Sequence, residues 1–145
     1  MSRPKNKEEY RAELAEAVAA EQEEKSDVSW QWEAATKVLR YIGIPVNMKG
    51  YVFIRDAVIL AEKDRSILED MTKRLYPKVA EMHGTNWRAV ERAMRNAIER
   101  SYTGSTPERM QRILGDNIST RTGLPTVSAL LCALTDLIHE KGKRY

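Results

Sequence analysis

At 145 residues, with 42% hydrophobic and 31% charged side chains, the chain suits one folded domain with a sizeable core. No apolar run approaches the roughly 20 residues that cross a bilayer. The charged start MSRPKNKEEY lacks the apolar stretch of a secretory signal, and the single cysteine, Cys132, permits neither an internal disulfide nor a thiolate metal site. The expected location is the cytoplasm. The net charge of +3 hides an asymmetry, because residues 1–33 carry −4 and residues 34–145 carry +7. A basic body suits a polyanion, and the acidic arm does not.

Residues 1–5 read as a disordered start. From Asn6 to about Lys25 the chain is rich in Glu, Ala, Leu and Lys without Gly or Pro, which predicts a helix capped by Asn6. Its apolar stripe is thin, Tyr10, Leu14 and Val18, so the arm can dock on the body, pair with a second copy or stay loosely held. Ser26-Asp27-Val28-Ser29 breaks the pattern. A second helix is expected from about Trp30 to Ile42, with Ala34, Ala35, Val38, Leu39 and Ile42 inward and Gly43 stopping it. Ile44 precedes a proline, so the connector to Lys49 is extended. Tyr51 to about Lys63 holds Val52, Phe53, Ala57, Val58, Leu60 and Ala61 and reads as the central core helix.

Ser66 with Glu69 fits a capping box, which predicts a short helix running toward Leu75. Pro77 suits the first turn of the helix that follows, and Lys73, Arg74 and Lys78 make this approach basic. Gly84 can end that helix in the left-handed conformation, and Thr85 or Asn86 can cap the next. In the stretch after Trp87, Val90, Ala93, Met94, Ala97 and Ile98 recur at helical spacing on one face. Arg88, Glu91, Arg92, Arg95 and Glu99 are left on the other. A helix pair, a Gly turn and exposed arginines over about 77–102 describe a helix-turn-helix, whose second helix enters the DNA major groove.

Ser105 with Glu108, or Thr106 with Pro107, starts a short helix ending at Gly115. Asp116 to Thr126 is a polar loop. Thr126 caps a last helix whose core residues are Val127, Leu130, Leu131, Leu134, Leu137 and Ile138, and Cys132 reads as a buried thiol. The basic tail from Lys141 is expected to fray. The fold class is all-α, with a compact six-helix domain over 30–145 and a helical arm over 1–29.

Several blocks resemble the C-terminal effector domain of stage-zero sporulation protein A, the response regulator that initiates sporulation. They are Ile42-Gly43-Ile44-Pro45, Lys49-Gly50-Tyr51, Arg55-Asp56-Ala57, Thr72-Lys73-Arg74-Leu75-Tyr76-Pro77 and Val90 through Glu99. They keep their order and spacing over about three quarters of the chain. The resemblance implies a six-helix fold in which the helix over 87–102 reads double-stranded DNA. It also implies a homodimer on DNA, a nucleoid location when bound, and contact with the RNA polymerase sigma subunit through residues 101–117.

Two departures follow. Residues 1–33 are too short for the family's receiver domain, so aspartyl phosphorylation of this chain is not expected. The family's Ser-Arg-Val-Glu-Arg becomes Arg88-Ala89-Val90-Glu91-Arg92 here, leaving Ala89 at the base-reading arginine position. One residue is about 100° around a helix, so Arg88 does not simply replace that contact.

By the resemblance, Glu91 accepts from a cytosine amino group; on spacing alone it pairs with Arg95 on a solvated face. Arg92 reaches a base edge or the adjacent backbone, and Arg95 sits against phosphate. Arg88 is a guanine reader or a phosphate clamp. Thr85 and Asn86 offer donors to a phosphate at the helix start, or cap it. Lys73 and Lys78 flank the DNA backbone or are only surface charges, and Lys141, Lys143 and Arg144 can add phosphate contacts. Trp87 is expected to be a hydrophobic anchor. No catalytic residue, cofactor or metal is expected: His83 and His139 lie on different helices, and no nucleophile is paired with a base. The competing reading is a protein-interaction module that binds the polymerase, a regulator or its own copy through the acidic arm.

Overall fold

The structure is a computed structural model that describes residues 4, 6–27, 29–115 and 123–142, with side chains for all of these except 19–27, 29 and 141. The expectations for the first residues other than Pro4, for most of the 116–126 loop and for the side chains of Lys141, Lys143 and Arg144 lie outside them. Among the described residues there is no strand, and seven α-helices follow one another.

The first helix, α1 (Lys7–Asp27), starts as its sequence requires, with the Asn6 side chain accepting from the Glu9 N–H at 2.9 Å. Tyr10, Leu14 and Val18 are exposed, so this stripe packs on no core. α2 (Ser29–Tyr41) buries Ala34, Ala35, Val38 and Leu39, and Gly43 turns the chain at φ +78°. α3 (Lys49–Lys63) begins two residues before the expected Tyr51 and is buried around most of its circumference. It packs against α2, α5 and α7 and is the central helix.

The capping box at Ser66 does not form. Asp64 is the cap instead, accepting from the Ser66 N–H at 3.1 Å and the Ser66 hydroxyl at 2.6 Å. Ser66 is thus the capped residue, and its hydroxyl holds the Asp64 carboxyl below the ordinary range, with Arg74 adding to the effect. The expected continuous helix is split: a 3₁₀ turn (Arg65–Glu69) gives way at Asp70 to a π turn (Met71–Leu75), which Asp70 caps by accepting from the Lys73 N–H at 3.2 Å.

α4 (Tyr76–His83) carries Pro77 in its first turn and ends at Gly84, which adopts the left-handed conformation at φ 64°, ψ 36°. Its N–H is directed at the carbonyls of Ala80 and Glu81. α5 (Trp87–Ser101) buries Val90, Met94, Ala97 and Ile98 as the spacing predicts, with Ala93 partly covered. α6 (Thr106–Leu114) ends at Gly115. α7 (Val127–Gly142) is capped by Thr126, whose hydroxyl accepts from the Ala129 N–H at 3.1 Å. Two residues expected in the core, Leu137 and Cys132, are only half-buried and line a depression beside α7.

The core is one cluster. Leu39, Ile42, Ile54, Met94, Leu131 and Ile138, fully enclosed, join α2, α3, α5 and α7, each contributing about 1.5–3 kcal/mol by burial. Gly50 governs how closely α3 approaches α5. A Cβ at this position would overlap the Ala93 carbonyl and lie 2.6 Å from the Ala97 Cβ. Gly50→Ala should therefore force the helices apart and cost about 1–3 kcal/mol, read as a lower urea midpoint; an unchanged midpoint would contradict this close crossing.

Tyr76, at the start of α4, is buried beneath Glu91 and Arg95 of α5. Burial first, then the Glu91 carboxylate, pushes its phenol up to about 12, with Arg95 opposing. The folded protein keeps a proton that the unfolded chain releases near the ordinary phenol value of 10. The contribution is complete below pH 10 and is lost as pH rises toward 12. Stability of the parent to urea should fall between about pH 10 and about pH 12 more than that of Tyr76→Phe; parallel losses in both would show that Tyr76 does not couple to stability.

Candidate nucleic-acid interface

The inner stripe of α5 is committed to the core, which fixes what the outer stripe presents. Arg88, Arg92 and Arg95 recur at i, i+4 and i+7, within about 60° of one another around the helix. All three are exposed. At about 1.5 Å per residue they span about 10 Å along the axis. Glu91 borders them, half-buried, with its Oε1 3.5 Å from the Arg95 Nη1. The i, i+4 pair foreseen from spacing is therefore present, and it lines one depression together with Tyr76.

The start of α5 is set by Asn86, not Thr85. Asn86 is extended, at φ −112°, ψ 161°, and its Oδ1 accepts from the Ala89 N–H at 2.9 Å. The cap occupies only the oxygen of the amide. Thr85 is exposed and lines a cleft of about 290 Å³ between α3 and α5, shared with Val52, Phe53 and Ala89. Ala89 sits about 100° around the helix from Arg88, on the cleft side of the arginine stripe. The expected anchor, Trp87, is not in the core: it is 36% exposed at the first position of α5, with the Arg88 guanidinium 5.3 Å from its ring centroid. The indole is left at the surface, where the cation stacks on its ring.

Of the basic residues on the approach, Lys73 and Lys78 are exposed, on the π turn and α4 respectively. Arg74 is engaged by the fold: its Nη2 lies 3.3 Å from the Asp64 Oδ2, and its Nη1 donates to the Ser66 carbonyl at 3.1 Å.

One constellation was not legible in the sequence. His83, the last residue of α4, donates from Nε2 to the Asp56 Oδ2 at 2.6 Å, and its ring meets Phe53 edge-on at 5.1 Å between centroids. Asp56 is buried on α3 and also lies 3.4 Å from the Arg55 Nε. The Arg55 guanidinium in turn stacks 3.5 Å from the Trp32 ring centroid on α2. This chain of contacts ties the turn before α5 to α3 and α2. The residues are 27 apart on different helices, so no local spacing announces the pairing; the Arg55-Asp56-Ala57 block was the only trace. The other histidine, His139, is 3.3 Å from Glu62. Each histidine is thus taken up by a different carboxylate of α3.

No described helix is long and apolar enough to cross a membrane. What the surface offers is a rigidly backed helix with three arginines in register, lysines on its approach, and a carboxylate among them. That set suits an anionic partner with polar edges.

The family profile described as Sporulation initiation factor Spo0A C terminal matches residues 35–138. The matched part runs from within α2 to near the end of α7, so it includes the α3–α5 crossing, the Gly84 turn and the whole arginine stripe, and excludes α1. The chain therefore belongs to the family of C-terminal domains of sporulation initiation factor Spo0A.

Proposed function

We propose that this chain is a sequence-specific double-stranded DNA-binding transcription regulator of the sporulation-initiation type, in which α4, the Gly84 turn and α5 act as a helix-turn-helix. The observation that carries the reading is the outer stripe of α5: Arg88, Arg92 and Arg95 exposed in one row while Val90, Met94, Ala97 and Ile98 hold the opposite face in the core. A major groove about 12 Å wide admits such a helix, and the row is short enough to lie within it.

In this reading Arg92 points toward base edges and Arg95 toward phosphate. Arg88, beside Trp87 at the helix start, joins Thr85 and Asn86 at the phosphate backbone, where the positive end of the helix dipole favours an anion. Glu91 accepts from a cytosine amino group, which requires it to leave Arg95 when the arginine turns to the backbone. Lys73 and Lys78 flank the duplex. With Ala89 where the family reads a base with arginine, the preferred site differs from the family's at that position. The DNA-reading unit corresponds to 30–145, with the acidic arm apart from it. A homodimer on DNA and contact between residues 101–117 and the polymerase sigma subunit are carried over from the family.

A second reading, a protein-interaction module without specific DNA binding, is favoured by one observation: the exposed Tyr10, Leu14 and Val18 on α1. Fluorescence anisotropy with a family-type duplex and a scrambled one separates the two. Binding should weaken with salt at a log–log slope of about −0.9 per phosphate neutralised. Arg92→Ala should cost about 1–3 kcal/mol, and Glu91→Ala should relax base preference more than affinity. Either variant binding like the parent would remove that residue from the interface, and no binding of either duplex at low salt would favour the interaction module.

A further inference from the structure

Among the described residues, two surfaces with apolar side chains lack a partner, and they match in length. The first is the α1 stripe, where Tyr10, Leu14 and Val18 are 57%, 64% and 44% exposed. The second is a groove formed by α2, α6 and α7. It consists of two depressions, of about 490 and 250 Å³, that share Ile113 and Leu137 and continue to Cys132 and Ala133 at one end and to Val38 and Tyr41 at the other.

Length agrees, and so does charge at the Tyr41 end; the Cys132 end carries Asp136, paired with Arg65, and Glu140. Tyr10 to Val18 rises about 12 Å along α1, and Ala129 to Leu137 rises the same distance along α7. α1 carries eight acidic and three basic residues. The Tyr41 end of the groove gathers cations: Arg109 donates to the Tyr41 carbonyl at 2.9 Å, Arg112 to its hydroxyl at 3.3 Å, and Lys37 lies on the same wall. Opposite charges at the rim orient and accelerate such an encounter.

The occupant is not the chain's own α1. Only one residue separates the end of α1 at Asp27 from the start of α2 at Ser29. Two antiparallel helices packed side by side need a connector of about 2–5 residues, so folding back would require unwinding helix ends. A second copy needs no such change, and reciprocal exchange seats both arms at once. We propose that α1 of one copy docks in the α2/α6/α7 groove of a second, giving an arm-exchanged dimer. The docking lies outside the family-matched residues on its arm side and is independent of the DNA-binding reading, since α5 contributes nothing to the groove.

Cys132, the sole cysteine, lies in the groove and serves as a reporter. Cysteines are placed singly at Tyr10, Leu14 and Val18 in the full chain, the proteins are oxidised, and products are resolved without reductant. Circular dichroism verifies that each variant keeps its helix content. At least one position should give a covalent dimer that disappears when Cys132→Ala is added, and the untreated parent should show twice the chain mass of 16.6 kDa by light scattering. Leu14→Glu with Val18→Glu should return that mass to the monomer. A parent that stays monomeric at about 100 μM, well above the Kd of a weak but specific dimer, would overturn the proposal. So would an internal disulfide within one chain, which means fold-back, or a covalent dimer that survives Cys132→Ala, which means pairing of one arm with the other.

Discussion

The close crossing of α3 and α5 at Gly50 is the constraint on which the remaining geometry rests. Because no Cβ intervenes, the α5 backbone at Ala93 and Ala97 lies directly against the start of α3. That contact fixes the rotation of α5 about its axis as well as its distance. Val90, Met94 and Ile98 then enter the core, and the opposite stripe, Arg88, Arg92 and Arg95, is held outward with little freedom to roll. The proposed DNA reading requires this. Side chains that read an edge pattern must be presented in a fixed register, and the register here is set by the buried face and not by the exposed one.

Polar contacts at the two ends of the α4–α5 turn reinforce the same placement. Gly84 and Asn86 determine the backbone path between the helices, while His83, held by Asp56 and Phe53, anchors the end of α4 to α3. Asp56 is buried, so its partner does more than decorate a surface: a buried carboxylate without hydrogen bonds would be costly. The charge distribution follows the same division of labour. The basic residues are concentrated on the part of the chain that the family profile covers, and the acidic excess lies on α1, outside it. An arm of that sign is repelled by any polyanion bound at α5 and attracted to the cationic rim near Tyr41.

What could be read from the sequence was whatever depends on neighbours within one or two helical turns. The two-sided pattern of α5, the Gly84 stop, the Pro77 start and the Asn6 and Thr126 caps are all local, and all stand as read. The Ser66–Glu69 capping pattern was equally local but lost to Asp64, because a carboxylate two residues earlier reaches the same N–H and also takes the hydroxyl. Trp87 was misread as an anchor because a large apolar ring at a helix start carries no information about whether other helices cover it. Leu137 and Cys132 lie on an apolar helix whose spacing alone does not show that one flank faces a groove. The Asp56–His83 pair and the demand for glycine at 50 depend on contacts between helices far apart in sequence, and no periodicity encodes them. Arg88, Arg92 and Arg95 were legible as an exposed row on α5, whereas what holds that row in place was visible only in three dimensions.

The most direct test of this account is to map the duplex-contacting residues by backbone amide NMR while titrating a duplex selected from a random pool. The shifts should concentrate between Thr85 and Arg95, extend to Lys73 and Lys78, and leave α1 and the groove along α7 unchanged. Shifts confined to α1 or the α2/α6/α7 groove, with Arg88, Arg92 and Arg95 silent, would contradict it.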